Sequence, residues 1–332
     1  MPKKRKEPPV TPREALPLPE SRFTAWNMLK FTFKFLSGAV SLFFLLFTLF
    51  IFIGFISIFF EDDGPLKTGN VAVIPIVGVI STTSSAGLAA EKTVVSQKII
   101  DLIEDAEDNK DIKAILFEIN SPGGSPVATY EIAQAVQAMK KPTVAVIREV
   151  GASGGYWVAT AAQEVWANPL SVTGSIGVLG SRLEFAGLIK EYNVTYRRLV
   201  GGKYKDVGSP WKEMTPDEEK LLQSVIDKLH DSFIDAVARN RKLPREKVTE
   251  LATGFIYLGS EAKEHGLIDN LGSRTDAVAA LEKKLNITAE LVTYKERRTL
   301  FDVLGEVSAK NFYAIGEGFG NTITTPEPLL RV

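Results

Sequence analysis

A long uncharged run near the N-terminus limits what this chain can fold into more than any other feature. Residues Phe35–Phe60 carry no charged side chain and are mostly Phe, Leu and Ile. Because an α-helix rises about 1.5 Å per residue, a helix over this range exceeds the roughly 30 Å hydrocarbon core of a bilayer. Helices buried in soluble cores are rarely so long or so uniformly apolar. The run therefore predicts one transmembrane anchor over residues 35–60.

The charges that flank the anchor predict its orientation. Lys30 and Lys34 precede the run, whereas Glu61, Asp62 and Asp63 follow it. Positive residues remain on the cytoplasmic side, so we expect a cytoplasmic N-terminus and an extracytoplasmic (periplasmic) main domain on the cytoplasmic, or inner, membrane. The run exceeds the apolar core of a signal peptide and lacks a small-residue cleavage site, which favours a permanent anchor.

The remaining chain divides by composition into four parts. Residues 1–34 are rich in proline and basic side chains and show no apolar period, which predicts a disordered cytoplasmic tail. Residues 61–69 are predicted to be a linker, and residues 70–295 to form the folded domain. Residues 296–332 are irregular and end in a proline-bearing stretch, which predicts a loosely held tail.

Strand and helix patterns alternate through residues 70–295. Apolar runs predict strands at Val71–Ile80, Ile112–Ile119, Thr143–Ile147 and Val194–Leu199. Helical spacing of apolar residues follows at Val94–Ala106, Ala128–Met139, Tyr156–Ala162 and Pro216–Arg241, the last with Thr215 as its cap. This alternation predicts an α/β domain with a largely parallel sheet.

The amino-acid composition excludes several kinds of catalytic and binding site. The 332 residues include no cysteine, which excludes a thiol nucleophile, a disulfide framework and a thiolate metal site. Two histidines argue against a histidine-rich metal site, and we expect no metal or other cofactor. The net charge is −1 and the basic residues are dispersed, which argues against nucleic acid as the main partner.

Glycine-rich turns follow three of the strand patterns. Residues 120–125 read NSPGGS, 151–155 read GASGG and 173–177 read TGSIG. Paired glycines let backbone N–H groups point into a cleft, as an oxyanion hole requires. The GASGG turn matches the G-x-S-x-G nucleophile elbow between a strand and a helix, which makes Ser153 a candidate nucleophile.

A serine nucleophile needs a base, and the residues alone leave its identity open. His230 lies beside the apolar stripe of a predicted helix, and His265 precedes Gly266 at a predicted helix end, so both have structural explanations. A lysine of the segment GGKYKD at residues 201–206 could serve if desolvation lowers its pKa from about 10.4.

Together the four motifs resemble the signal peptide peptidase A family of serine peptidases. They stand in the family's order and spacing, and the resemblance runs from about Val71 to Leu291. The family shares its fold with Clp protease and the crotonase superfamily, so the resemblance implies that fold here. It implies that Ser153 is the nucleophile, that Lys205 is the general base, and that Ser175 positions the lysine.

The resemblance also implies the oxyanion donors, the substrate and the assembly. The donors would be Gly154 and one of Gly123 or Gly124. The substrates would be remnant signal peptides and other apolar peptides. Short family members assemble homo-oligomers with active sites near subunit contacts, so Lys205 is expected near such a contact and able to serve a neighbouring chain.

Two other functions remain as alternatives. An α/β-hydrolase-type esterase or peptidase would use Ser153 with His265, although the sequence lacks that fold's HGGG-like oxyanion loop. A non-catalytic membrane scaffold could also use a crotonase-like fold, because fold does not dictate function.

Overall fold

The computed structural model describes residues 25–59, 69–83 and 93–295. The chain divides into two compact units, Met1–Gly64 and Pro65–Val332. Most of the predicted N-terminal tail, nearly all of the predicted linker and the predicted C-terminal tail lie outside the described residues. The division into tail, anchor, linker, domain and tail therefore stays a prediction.

In the first unit, helix α1 (Ala25–Phe59) contains the predicted anchor except Phe60, which lies outside the described residues. Its stretch Met28–Ile53 is long and apolar enough to cross a membrane, and within the described residues it is the one helix with this property. The helix begins at Ala25 rather than at Phe35. Residues before Phe35 continue it because they are mostly apolar and include no proline or glycine that would end a helix.

The second unit alternates strands with helices. Its strands are β1 (Val71–Val77), β2 (Val79–Ser81), β3 (Thr93–Val95), β4 (Ala114–Ser121), β5 (Thr143–Ala152), β6 (Glu164–Ala167), β7 (Val172–Gly174), β8 (Ile256–Leu258), β9 (Asn270–Leu271) and β10 (Leu291–Thr293). Its helices are α2 (Ser96–Asp108), α3 (Pro126–Ala138), α4 (Gly154–Ala161), α5 (Ala186–Glu191), α6 (Pro216–Arg241), α7 (Arg245–Leu251), α8 (Gly259–His265) and α9 (Arg274–Leu285).

The main sheet confirms the predicted α/β architecture. Its strands lie in the order β10-β1-β4-β5-β6-β9, and these neighbours are parallel. Strand β7 pairs with β5 beyond the end of β6, and β8 pairs antiparallel with β7. Strands β2 and β3 form a separate parallel pair. The carboxyl ends of β4, β5 and β7 consequently meet at one edge.

Helices cover both faces of the sheet. Successive strand residues point to opposite sides, so both faces carry apolar side chains that pack against helices. Ala72 and Ile74 of β1 belong to a large core that includes residues of α2, α3, α4 and α6. Val71 and Val73 belong to a smaller core completed by α9. The central strands β1, β4 and the first half of β5 are buried on both faces, as expected for a parallel sheet between helical layers.

Helix α6 has the predicted bounds and the predicted cap. The Thr215 hydroxyl accepts a hydrogen bond from Glu218 N–H at 3.3 Å, and the Glu218 carboxylate accepts one from Thr215 N–H at 3.0 Å. The C-terminal half is packed, and Phe233 stacks on Trp157 with ring centroids 4.7 Å apart. Apolar residues of the N-terminal half, among them Val225, are exposed.

The strand predicted at Val194–Leu199 is wrong. These residues form no strand and are exposed, Leu199 to 95%. The apolar, β-branched pattern indicated a strand, but the segment has no neighbouring strand among the described residues with which to form a ladder. It instead leads into the turn that carries Lys205.

An ion pair joins the end of α6 to the sheet. The Arg241 guanidinium donates two hydrogen bonds of 2.7 Å to the Asp269 carboxylate, which also accepts the N–H of Val165 in β6 at 2.8 Å. Burial alone would raise the pKa of Asp269, but the hydrogen bonds from Arg241 and Val165 outweigh it and lower that pKa below its usual value. The carboxylate therefore stabilises the fold in its ionised form.

We predict that Asp269→Asn destabilises the domain by about 2 kcal/mol at pH 7, because the hydrogen bonds to a charged group are lost. The folded-state pKa is lowered, so this contribution is complete above the unfolded carboxyl pKa of about 3.9 and disappears as pH falls through the folded value. Thermal melting of the full chain in detergent, measured from pH 7 downward, tests this.

The matched control is Asp235→Asn, which removes a carboxylate from an exposed pair with Arg245. Exposed ion pairs contribute roughly 0–1 kcal/mol, so this variant should lower the melting temperature by at most about 4 °C and by less than Asp269→Asn does. Equal melting of the two variants at pH 7 would contradict the role assigned to the Arg241–Asp269 pair.

Candidate active site

Ser153 lies at a strained turn between β5 and α4. Its φ angle is 52°, in the region that non-glycine residues rarely adopt, and it is the N-cap residue of α4. Its N–H donates to the Gly174 carbonyl at 2.8 Å, and its carbonyl accepts from Trp157 N–H at 2.9 Å. The backbone is therefore fixed on both sides of the serine, and the side chain stands at the start of a helix, as the elbow motif predicts.

The glycine pair that follows β4 packs directly against this turn. Gly123 has φ of 99°, and a Cβ added there would lie 2.6 Å from Gly154 N and 2.9 Å from Ser153 Cβ. A Cβ added to Gly124, with φ of 156°, would lie 2.0 Å from the Ile80 carbonyl oxygen. Any side chain would separate the two turns, so glycine at 123 is what permits their contact.

Hydrogen bonding distinguishes the two glycines. The Gly123 N–H donates to Ser121 Oγ at 3.1 Å, so it already has an acceptor. The Gly124 N–H makes no hydrogen bond to any described residue, while the flanking Gly123 carbonyl accepts from Ile80 N–H at 2.8 Å. The Gly154 N–H is the first of α4 and has no intrahelical acceptor. Two unpaired N–H groups thus flank Ser153, an arrangement suited to an oxyanion.

A buried hydroxyl lies behind the serine turn. Thr129 of α3 is 1% exposed, and its Oγ1 has no hydrogen-bond partner among the described residues. A Cβ added to Gly154 would lie 2.4 Å from this oxygen. The close approach explains why glycine follows the serine. Sequence reasoning missed Thr129 because nothing in a helical pattern distinguishes a threonine on the buried face from ordinary core packing.

Ser175 lies beside Ser153 across two neighbouring strands. The register of β5 and β7 pairs Ala152 with Gly174, the residues immediately before the two serines. Ser175 also has a positive φ, 50°, and its Oγ donates to the Gly254 carbonyl at 3.3 Å. The sheet thus places both predicted serines at the carboxyl ends of adjacent parallel strands.

Lys205 lies on an exposed turn, away from these contacts. The turn covers residues 201–208 and is closed by backbone hydrogen bonds from Lys205 N–H to the Gly202 carbonyl and from Val207 N–H to the Tyr204 carbonyl, both 3.2 Å. The Lys205 ammonium makes no hydrogen bond to the described residues. Within one chain the structure therefore brings Ser153, Ser175 and the two glycine turns together, but it does not bring Lys205 into hydrogen-bond contact with them.

The two histidines have structural environments. His230 Nε2 lies 3.3 Å from the Ile176 carbonyl oxygen on the flank of α6. His265 ends α8, is followed by Gly266 in the left-handed conformation, and packs edge-on against Tyr257 with ring centroids 5.4 Å apart. Neither ring makes a hydrogen bond to Ser153 in the described chain.

In the part of the chain that the structure describes, no metal site accompanies the serine turn. Among residues 25–59, 69–83 and 93–295, no three His, Asp or Glu side chains are grouped so that they could hold an ion. The features that the site does present are a hydroxyl on a strained turn, a second serine beside it and two unpaired N–H groups. These are the elements of acyl transfer through a serine nucleophile.

Comparison with known proteins places the chain among proteases. Residues 135–288 match the profile of peptidase family S49, and residues 85–171 match that of Clp protease. A putative protease of Methanocaldococcus jannaschii is 34% identical over 71% of this chain and 76% of its own length. A putative signal peptide peptidase SppA of Enterococcus faecium is 31% identical over 79% and 76%.

A longer relative matches over part of its length. The chloroplastic serine protease SPPA of Arabidopsis thaliana is 31% identical over 66% of this chain, which spans 33% of that protein. The two shorter relatives are covered over three quarters of their length at more than 30% identity. Together with the α/β fold and the serine turn, these matches show that the chain belongs to peptidase family S49 and is a serine peptidase.

Proposed function

We propose that this protein is a membrane-anchored endopeptidase in which Ser153 and Lys205 form a Ser–Lys dyad. The observation that carries the proposal is the strained Ser153 turn flanked by the unpaired N–H groups of Gly124 and Gly154. A serine fixed beside two preorganised donors suits attack on a peptide carbonyl better than binding alone.

In this mechanism Ser153 Oγ attacks the scissile carbonyl while the neutral Lys205 amine removes the hydroxyl proton. The N–H groups of Gly154 and Gly124 bind the oxyanion; Gly124 is preferred to Gly123 because the latter N–H is engaged by Ser121. The lysine then protonates the leaving amine, and water hydrolyses the acyl-enzyme by the reverse sequence. Ser175, next to Ser153 in the sheet, would orient the lysine.

The exposure of Lys205 supports completion of the dyad by a neighbouring chain. Its ammonium has no partner in the described chain, and the segment before it exposes several large apolar residues. These are Leu179, Leu183, Leu188, Tyr192, Val194 and Leu199. A monomer rarely exposes so many neighbouring apolar side chains, which is typical of a surface that another protein covers. We infer a homo-oligomer whose contacts carry Lys205 to the Ser153 of a neighbour.

The anchor determines which substrates the site would meet. Helix α1 is long and apolar enough to span a bilayer, and the positive flank Lys30 and Lys34 favours a cytoplasmic N-terminus. A site tethered on the extracytoplasmic side encounters extended apolar peptides, which bind such clefts by adding a strand. Remnant signal peptides fit this description, and one relative carries the name signal peptide peptidase.

Substitution of the dyad tests the mechanism directly. We predict that Ser153→Ala and Lys205→Ala in the full chain each lower cleavage of an apolar signal-type peptide by roughly a thousandfold or more, because each removes an essential member of one unit. His265→Ala should retain activity within a few-fold of the wild type. Loss with His265→Ala and retention with Lys205→Ala would instead establish a Ser–His mechanism.

Mixing the inactive variants tests the shared site. When Ser153→Ala and Lys205→Ala chains are unfolded and refolded together, some contacts pair an intact Ser153 with an intact Lys205 from another chain. We predict recovery of roughly a quarter of the wild-type rate from random pairing. Each variant refolded alone is the control. Mixed oligomers that remain inactive would place the dyad within one chain.

Leu199, which is 95% exposed just before the lysine turn, tests the oligomer. We predict that Leu199→Glu lowers the particle mass measured by light scattering in detergent and lowers peptidase activity at least tenfold, because a charge at an apolar contact is costly. Leu199→Met keeps the apolar surface and should preserve both. An unchanged mass with Leu199→Glu would exclude Leu199 from the contact.

A further inference from the structure

The turn that carries Lys205 is held by one arginine. Arg198 Nε and Nη2 both donate to the Asp206 carboxylate, the Nη2 bond measuring 2.7 Å. The same Nη2 donates to the Lys203 carbonyl at 2.8 Å. The guanidinium thus contacts the residue after Lys205 and the residue two before it. Planar bidentate pairing of this kind fixes geometry as well as charge.

Few other contacts hold this part of the chain. Residues 194–200 form neither helix nor strand and are exposed. The far end of the turn is attached through Ser209, whose carbonyl accepts from Arg182 at 3.4 Å, and through Pro210, whose carbonyl accepts from Phe185 N–H at 2.7 Å. The near end depends on Arg198, so its loss would leave the lysine turn attached on one side.

The Arg198–Asp206 ion pair also affects the net charge beside Lys205. Asp206 adjoins Lys205 in sequence, and hydrogen bonds from Arg198 lower the pKa of Asp206, so this carboxylate is ionised. A free carboxylate beside a lysine favours the ammonium form, which cannot act as a base. We expect the Arg198 charge to oppose this effect, because the guanidinium is paired with the same carboxylate. The other charged or titratable groups near the turn are Tyr196, Lys203, Tyr204, Lys212, Asp217 and Glu218.

We propose that Arg198 is a positioning residue for Lys205, holding its turn in one conformation and neutralising the carboxylate beside it. The inference rests on the proposed function, because it assumes that Lys205 is the general base. Arg198 is 39% exposed as a side chain and lies outside the packed core, so its role is local to this turn rather than to the fold.

Arg198→Ala in the full chain should lower kcat for peptide cleavage by about tenfold or more, with KM within about twofold, since misplacement of a catalytic group affects the chemical step. The acidic limb of the kcat–pH profile should move to higher pH, because unpaired Asp206 favours the protonated lysine. Adding Asp206→Asn to Arg198→Ala should return the limb toward its wild-type position without restoring kcat.

Arg197 supplies the matched control. It is the adjacent exposed arginine and makes no hydrogen bond or ion pair to the described residues. Arg197→Ala should keep kcat within about twofold and leave the pH profile unchanged. Arg198→Lys, which keeps the charge but not the planar fork, should keep the limb in place and recover part of kcat.

The outcomes separate this inference from the proposed function. One outcome is that Arg198→Ala matches Arg197→Ala in kcat and pH profile while Ser153→Ala and Lys205→Ala are inactive. That result would overturn the role of Arg198 and leave the proposed function standing. A fall in kcat without a shift of the acidic limb of the pH profile would also overturn the role of Arg198, because loss of a merely structural residue gives that result. Activity in Lys205→Ala would overturn both proposals together. Thermal melting verifies that each variant is folded.

Discussion

The contact between the glycine turn after β4 and the serine turn after β5 is the constraint on which the site depends. These strands are parallel neighbours, and the register brings Ser121 opposite Gly151 just before the two turns. A side chain at Gly123 would collide with Gly154 N and Ser153 Cβ. The sheet therefore places a hydroxyl and two unpaired N–H groups at one edge. The strain in Ser153 is supported by the hydrogen bonds of its own backbone to Gly174 and Trp157.

The proposed base, Lys205, lies on a less constrained part of the chain. The serine turns are packed between the sheet and the helices, whereas Lys205 lies on an exposed turn fixed by Arg198 and followed by a helix whose first half exposes apolar residues. A rigid nucleophile and an exposed base are what a peptidase completed by assembly would require. In such an enzyme the lysine becomes desolvated, and so able to act as a base, only when a neighbouring chain covers it.

Much of the fold could be predicted because local and global signals agree. Helix α6 has the predicted bounds because proline, acidic residues and a capping box all mark its start, and the strands β1, β4 and β5 follow apolar runs buried on both faces. The segment 194–199 shows where such prediction fails. An apolar β-branched run indicates that a segment is buried, but it does not indicate which part of the protein, or which partner, covers it. Three further features could not be predicted, because they depend on side-chain geometry or on contacts between residues far apart in sequence. These are the choice between Gly123 and Gly124, the buried Thr129 and the Arg198–Asp206 ion pair. The assignments of Ser153, Lys205, Ser175 and the glycines as catalytic groups remain predictions.

Covalent labelling of the full chain in detergent would test the central claim most directly. A fluorophosphonate reacts with serines that are activated as nucleophiles, and peptide mass spectrometry identifies the modified residue. The account predicts that one serine, Ser153, is phosphonylated. It also predicts that labelling is greatly slowed at a pH low enough to keep the lysine base protonated. Modification of another serine, or equal labelling of the native and the denatured chain, would contradict it.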